Sequence, residues 1–117
     1  MNRSDVERLR DAREFAMYAR ENACRLSADE LAAARKSQHA VLYDLIVIGE
    51  TLNRVSAAVK SAAPDIEWKK IITLRNILVH SYWQVDLAIV ADVVENWMGT
   101  LILQLDAAIA MGERSDR

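Results

Sequence analysis

Three glycines and one proline interrupt 117 residues. A chain with so few turn-forming residues has few places to reverse direction, which favours long helices over many short strands. Alanine, leucine, arginine and glutamate are plentiful, and all are good helix formers. Apolar positions recur at helical spacing along nearly the whole chain, so the expected fold is an all-α bundle of four to five helices.

The helix boundaries follow from local signals. Ser4-Asp5-Val6-Glu7 reads as a capping box opening a helix with Leu9, Ala12, Ala16, Ala19, Ala23 and Leu26 on one stripe. Ser27-Ala28-Asp29-Glu30 is a second capping box, starting a short helix through Arg35. Lys36 to His39 is a polar kink or brief break. The central helix then runs to about Ala63, with Val41, Leu45, Ile48, Leu52, Val55 and Val59 alternating four and three apart. Pro64 stops it, and Asp65 is placed to cap the next helix. Asp86 caps the last helix, whose core face is Leu87, Val90, Val94, Trp97, Leu101 and Leu105. Ile89, Val93, Ile102 and Ile109 widen that face beyond what one small bundle needs, which points to a homodimer interface. Residues 1–111 form one helical domain and 112–117 a polar tail expected to fray.

The bulk properties narrow the function. A formal net charge of −2 does not suit broad, non-specific attraction of polyanions, but leaves room for a small local site. From Trp68 to Trp83 the charged residues are Lys69, Lys70 and Arg75, all basic. A lone Cys24 excludes an internal disulfide and fits a reducing cytoplasm. Glu50 and Arg54 interrupt the longest apolar run, so no stretch approaches membrane length, and no signal sequence opens the chain. Two distant histidines make no metal site, and no Cys/His cluster, phosphate-binding glycine loop or Ser/His/Asp set is visible; no cofactor is expected.

The chemistry is concentrated in Arg75-Asn76-Ile77-Leu78-Val79-His80-Ser81-Tyr82-Trp83, at the end of an apolar-periodic helix. Asn76 and His80 share a helix face. Arg75 and His80 are five apart and lie well off one another's azimuth; they meet only if the helix distorts, if the Arg75 side chain reaches round, or if a second subunit supplies a copy of the site. An Arg five before a His arises by chance in about one chain in five of this composition, so the spacing alone is weak. His80 offers a general acid or base, since imidazole titrates near neutrality; its bland role is bonding helix-end carbonyls. Arg75 suits a phosphoryl group; its bland role is a salt bridge, with Glu50 as the partner. Asn76 either orients His80, donates to phosphate, or caps the helix. Glu50 pairs with Arg54 one turn on, or sits beside Arg75. Tyr82 contacts RNA or packs at the bundle rim; Trp83 stacks on a base or, more simply, makes a core or dimer contact. Trp68 reads as a structural anchor and His39 as surface.

The surrounding residues carry a family resemblance. Arg35-Lys36-Ser37-Gln38-His39-Ala40-Val41, Ile48-Gly49-Glu50, Pro64-Asp65-Ile66-Glu67-Trp68-Lys69-Lys70-Ile71, Arg75-Asn76 and His80-Ser81-Tyr82 together resemble the HEPN superfamily, specifically the HepT-like toxins. The resemblance implies an all-helical homodimer and a metal-independent ribonuclease with an R-x4-6-H signature, here Arg75 and His80 with Asn76. It also implies a small nucleotidyltransferase antitoxin that adds AMP to Tyr82. Ser81 stands where many relatives have Asp, which removes any role for a carboxylate there and leaves Ser81, like Glu50, a supporting position. In the implied reaction His80 assists attack by a ribose 2′-OH while Arg75 and Asn76 hold the phosphate. Two alternatives stay open: a module that binds nucleotide or RNA without cutting it, and a structural partner of a nucleotidyltransferase.

Overall fold

The computed structural model describes residues 1–115, and everything described is helix or connecting turn. Seven α-helices follow one another: α1 (Arg3–Ala23), α2 (Ala28–Ala33), α3 (Arg35–Asn53), α4 (Ala57–Ala62), α5 (Trp68–Ser81), α6 (Leu87–Asn96) and α7 (Met98–Ser115), with one 3₁₀ turn at Tyr82–Gln84. The all-α bundle is as expected. The helix number is larger because each of the two longest expected helices is broken in two.

The expected central helix divides at Arg54–Ser56. Ser56 caps α4, its hydroxyl accepting from the Val59 N–H at 3.4 Å, and the buried carboxylate of Asp5 accepts the Ser56 N–H at 3.0 Å. Arg8 donates to the freed Arg54 carbonyl at 3.0 Å. The break is thus held by α1, across 51 positions of sequence. The expected last helix divides at Trp97, where α6 and α7 meet at 50°. Among the described residues no single helix is long and apolar enough to cross a membrane.

Several expected boundaries differ. The cap of α1 is Asn2, whose side chain accepts the Asp5 N–H, rather than Ser4. Lys36–His39 lie inside α3, which starts at Arg35. The motif helix starts at Trp68, past Asp65, with Glu67 at its N-cap making no side-chain cap bond. At the other end, α7 continues through Gly112 to Ser115, so the start of the expected polar tail is helical; Asp116 and Arg117 lie outside the described residues. The Ser27/Glu30 capping box and the Asp86 cap form as expected, because all their atoms lie within one helical turn.

α1 packs along α3 and α7, α5 lies on α3, and α2 lies on α6. The core joins the alanine-rich stripe of α1 to Val41, Leu45, Ile48 and Leu52 of α3 and Leu101 and Leu105 of α7. Small side chains on α1 let its backbone approach both neighbours closely. Val93, Ile102 and Ile109, expected as surplus for a partner, are buried within the chain at 7–8 % exposure. Val93 lies before the bend at Trp97, and Ile102 and Ile109 lie after it. Ile89 and Leu103 remain on the surface, 54 % and 70 % exposed.

Candidate functional site

The site is assembled where α5 crosses α3. Gly49 makes the crossing close: a Cβ there would lie 2.3 Å from Cβ of Arg75, nearer than two carbons can sit. With only hydrogen at Gly49, the Arg75 side chain lies against the α3 backbone and its guanidinium comes beside Glu50, one residue on. The Arg75 Nε–H donates to Glu50 Oε1 at 2.6 Å, and Nη2 donates to the same oxygen. Of the two pairings open to Glu50, the structure shows the one with Arg75. This pair is half-buried, so it is screened less than a surface ion pair.

Asn76 completes the grip. Its Oδ1 accepts from Arg75 Nη1 at 2.8 Å. A guanidinium has five N–H donors. Glu50 takes two and Asn76 one, leaving one on each Nη nitrogen. Those two donors on a side chain that can barely swing suit a tetrahedral oxyanion such as a phosphoryl group. The Asn76 oxygen is engaged, so its amide N–H groups are the part left to face a ligand.

His80 stands apart from this group. α5 is unbroken to Ser81, so the distortion that would bring His80 to Arg75 is absent. Five residues of regular helix separate the two side chains by about 140° of azimuth. Arg75, with Ile71, Leu78 and Tyr82, faces α3; Thr73, Asn76, Ile77 and His80 form the exposed side. Among the described residues no hydrogen bond joins Arg75 and His80. Ser81 ends the helix half-buried and caps nothing with its side chain.

Past Ser81 the backbone tightens into the 3₁₀ turn. Tyr82 is half-buried against the core, with the His39 ring 6.0 Å away. His39 is exposed, as expected, but its place beside Tyr82 carries no sequence signal: the two are brought together by the antiparallel run of α3 and α5. Trp83 is 79 % exposed, so a core role is excluded. Trp68 is the anchor it resembles, its indole N–H donating to the Ala63 carbonyl at 3.0 Å. Among the described residues no group of three or more His, Cys, Asp or Glu is placed to hold a metal ion. Glu50 also borders an open groove of about 440 Å³ that α1 lines with Glu7, Arg8 and Asp11.

A family model described as ribonuclease HepT-like matches residues 7–108. The chain is similar to a Methanocaldococcus jannaschii protein named a putative RNase, 30 % identical over 91 residues, covering 78 % of this chain and 75 % of that protein. It is similar to a protein of Thermococcus cleftensis named a probable ribonuclease HepT, 27 % identical over 95 residues, covering 81 % of this chain and 86 % of the other. A second M. jannaschii protein named a putative RNase is 31 % identical over 58 residues, half of this chain and 53 % of its own length. No solved structure matches.

Proposed function

Since the chain belongs to the HepT-like ribonuclease family, we propose that it is a metal-independent endoribonuclease toxin of the cytoplasm, acting through Arg75, Asn76 and His80 and silenced by a nucleotidyltransferase antitoxin that adds AMP to Tyr82. The observation that carries this reading is the Arg75 guanidinium, fixed by Glu50 and Asn76 with two N–H donors left over, on the same helix as His80, which is exposed on its other side.

In the proposed reaction a ribose 2′-oxygen attacks the adjacent phosphorus while His80 takes the hydroxyl proton. The new O2′–P bond forms as the P–O5′ bond breaks, and the departing 5′-oxygen receives a proton. The products are a 2′,3′-cyclic phosphate and a 5′-hydroxyl. Arg75 and the Asn76 amide hold the non-bridging oxygens and oppose the charge that builds on them. DNA lacks the 2′-hydroxyl nucleophile and is not cut. The azimuth between Arg75 and His80 favours a composite site in which two copies of α5 lie together, an imidazole from one serving the guanidinium of the other. The exposed Ile77 and Val79 on α5 supply apolar surface for that approach.

The test is cleavage of RNA in EDTA with analysis of the new ends. Wild type is expected to give cyclic phosphate and 5′-hydroxyl ends. His80→Ala is expected to lose about 10²- to 10⁴-fold in rate with an unchanged far-UV circular dichroism spectrum. A folded His80→Ala that cuts at the wild-type rate overturns the site, and abolition of cutting by EDTA overturns the metal-independent mechanism.

A further inference from the structure

Three tryptophans occupy the chain, and two are committed to the fold. Trp68 hydrogen-bonds to Ala63 and lies under the Lys60 ammonium; Trp97 is 9 % exposed with Lys70 over its ring at 4.8 Å. Trp83 is 79 % exposed and has no ring pair or cation over it among the described residues. A solvated indole leaves a large apolar area against water, area that a ligand recovers on binding.

Its position gives that area a use. Asn76 and His80 lie four apart on the exposed side of α5, and Trp83 follows three residues on, in the turn that begins where the backbone leaves the helix at Ser81 (φ −136°, ψ 34°). The turn is short and held at both ends: Tyr82 and Val85 pack against the core on either side, and Asp86 caps α6 by accepting the Ala88 N–H at 2.9 Å. The indole is therefore carried on a clamped backbone. The charged residues from Trp68 to Trp83 are all basic, so this stretch itself sets no carboxylate against the phosphate chain of a nucleic acid; Glu50 and Glu67 offset part of the charge of Arg75 and Lys70.

We propose that Trp83 is a stacking platform for one unpaired nucleobase beside the scissile phosphate, which makes the preferred substrate single-stranded or looped RNA. This rests on the reading of Arg75, Asn76 and His80 as an RNA-cleaving site. A base in a duplex is already stacked on both faces and cannot lie on the indole; a splayed base can, whatever its identity. Trp83 thus selects strandedness rather than sequence.

The test measures binding of a fluorescein-labelled oligoribonucleotide by anisotropy, in a His80→Ala background that does not cut. Trp83→Ala is expected to weaken binding of the single strand about 5- to 150-fold, the range of one base stack, while Trp83→Phe keeps most of the affinity. Moving an abasic nucleotide along the strand should find one position where the parent loses a similar factor and Trp83→Ala loses nothing more. The same sequence as a duplex should bind the parent no better than Trp83→Ala does. The proposal is overturned if Trp83→Ala binds like the parent, if no abasic position is silent in Trp83→Ala, or if Trp83→Ala changes the sedimenting species, which would make the indole a contact between copies. Wild type that neither binds nor cuts RNA overturns the ribonuclease reading itself; wild type that cuts, alongside Trp83→Ala cutting single strands equally well, overturns the platform alone.

Discussion

At Gly49 a missing side chain decides the site. Alanine is favoured over glycine inside a helix by about 1 kcal/mol, yet a methyl group 2.3 Å from Arg75 Cβ cannot be accommodated without moving α5. Overpacking of this kind costs about 1–3 kcal/mol, so the clash outweighs the propensity. Gly49→Ala is expected to lower RNA cleavage about 10²-fold, because a displacement near 1 Å suffices to misplace a catalytic group; cleavage at the parent rate would show that Arg75 does not depend on the crossing. Tyr82 is testable by mass. Its phenol oxygen would attack the α-phosphorus of ATP and release pyrophosphate, leaving an anionic group near Arg75 that competes with the RNA phosphate. Incubated with the nucleotidyltransferase and ATP, wild type should gain AMP units and Tyr82→Phe none; equal gain would place the acceptor elsewhere. Asp44, 4 % exposed, is a different case: burial raises its carboxyl pKa, partly offset by the Asn22 amide donating at 2.7 Å. A carboxyl that holds its proton more tightly when folded favours the folded state at low pH, and that advantage is lost as pH rises through the folded value. Asp44→Asn keeps an acceptor for Asn22 and removes the charge. Its Tm should therefore match or exceed the parent's near neutrality, with the difference closing below about pH 4. A Tm deficit that grows with pH would contradict this.

Among the elements, the α3–α4 break shows how a distant side chain ends a helix. The Val41–Val59 seam carries no glycine or proline at the break, and its periodicity continues through it. Asp5, 1 % exposed on α1, takes the Ser56 N–H, because a buried carboxylate needs donors, while the Leu52 carbonyl four residues back already accepts the Val55 N–H at 3.2 Å. Asp5→Ala should cost about 1–3 kcal/mol, the price of leaving that N–H unpaired. Urea unfolding would show a lowered midpoint with an unchanged slope; an unchanged midpoint would mean the break is held by packing alone. The other break is at Trp97. The single helix expected over Leu87–Ser115 left Val93, Ile102 and Ile109 as surplus; in the two helices that meet at 50° all three are buried.

For the whole molecule, that burial shifts the grounds for a dimer without removing them. Ile77 and Val79 on α5, Trp83 on the turn that follows and Ile89 on α6 are still exposed, and α5 packs mainly on α3, leaving its other side open. A two-fold assembly through α5 would cover them and bring two sites together. Sedimentation equilibrium at micromolar concentration should give twice the chain mass, and Ile77→Asp should shift the protein toward monomer with a parallel loss of RNA cleavage. A monomeric wild type that still cleaves RNA would exclude the composite site.

Much of this protein was determined by its sequence alone. Scarce turn residues and 3.6-residue periodicity required helices, and the Ser27/Glu30 and Asp86 caps marked two of their starts, because such signals act within one turn of backbone. The cluster from Arg75 to Trp83 was legible for the same reason, being contiguous. Tertiary structure decided what depends on atoms far apart in the chain. It chose Arg75 over Arg54 for Glu50, since that choice follows from a helix crossing at Gly49. It set His39 beside Tyr82, drew Asp5 to Ser56, and turned three expected interface residues into core. Local pattern specifies most of the backbone hydrogen bonds within a helix; packing specifies where a helix breaks and which helices touch, and so which side chains share a site.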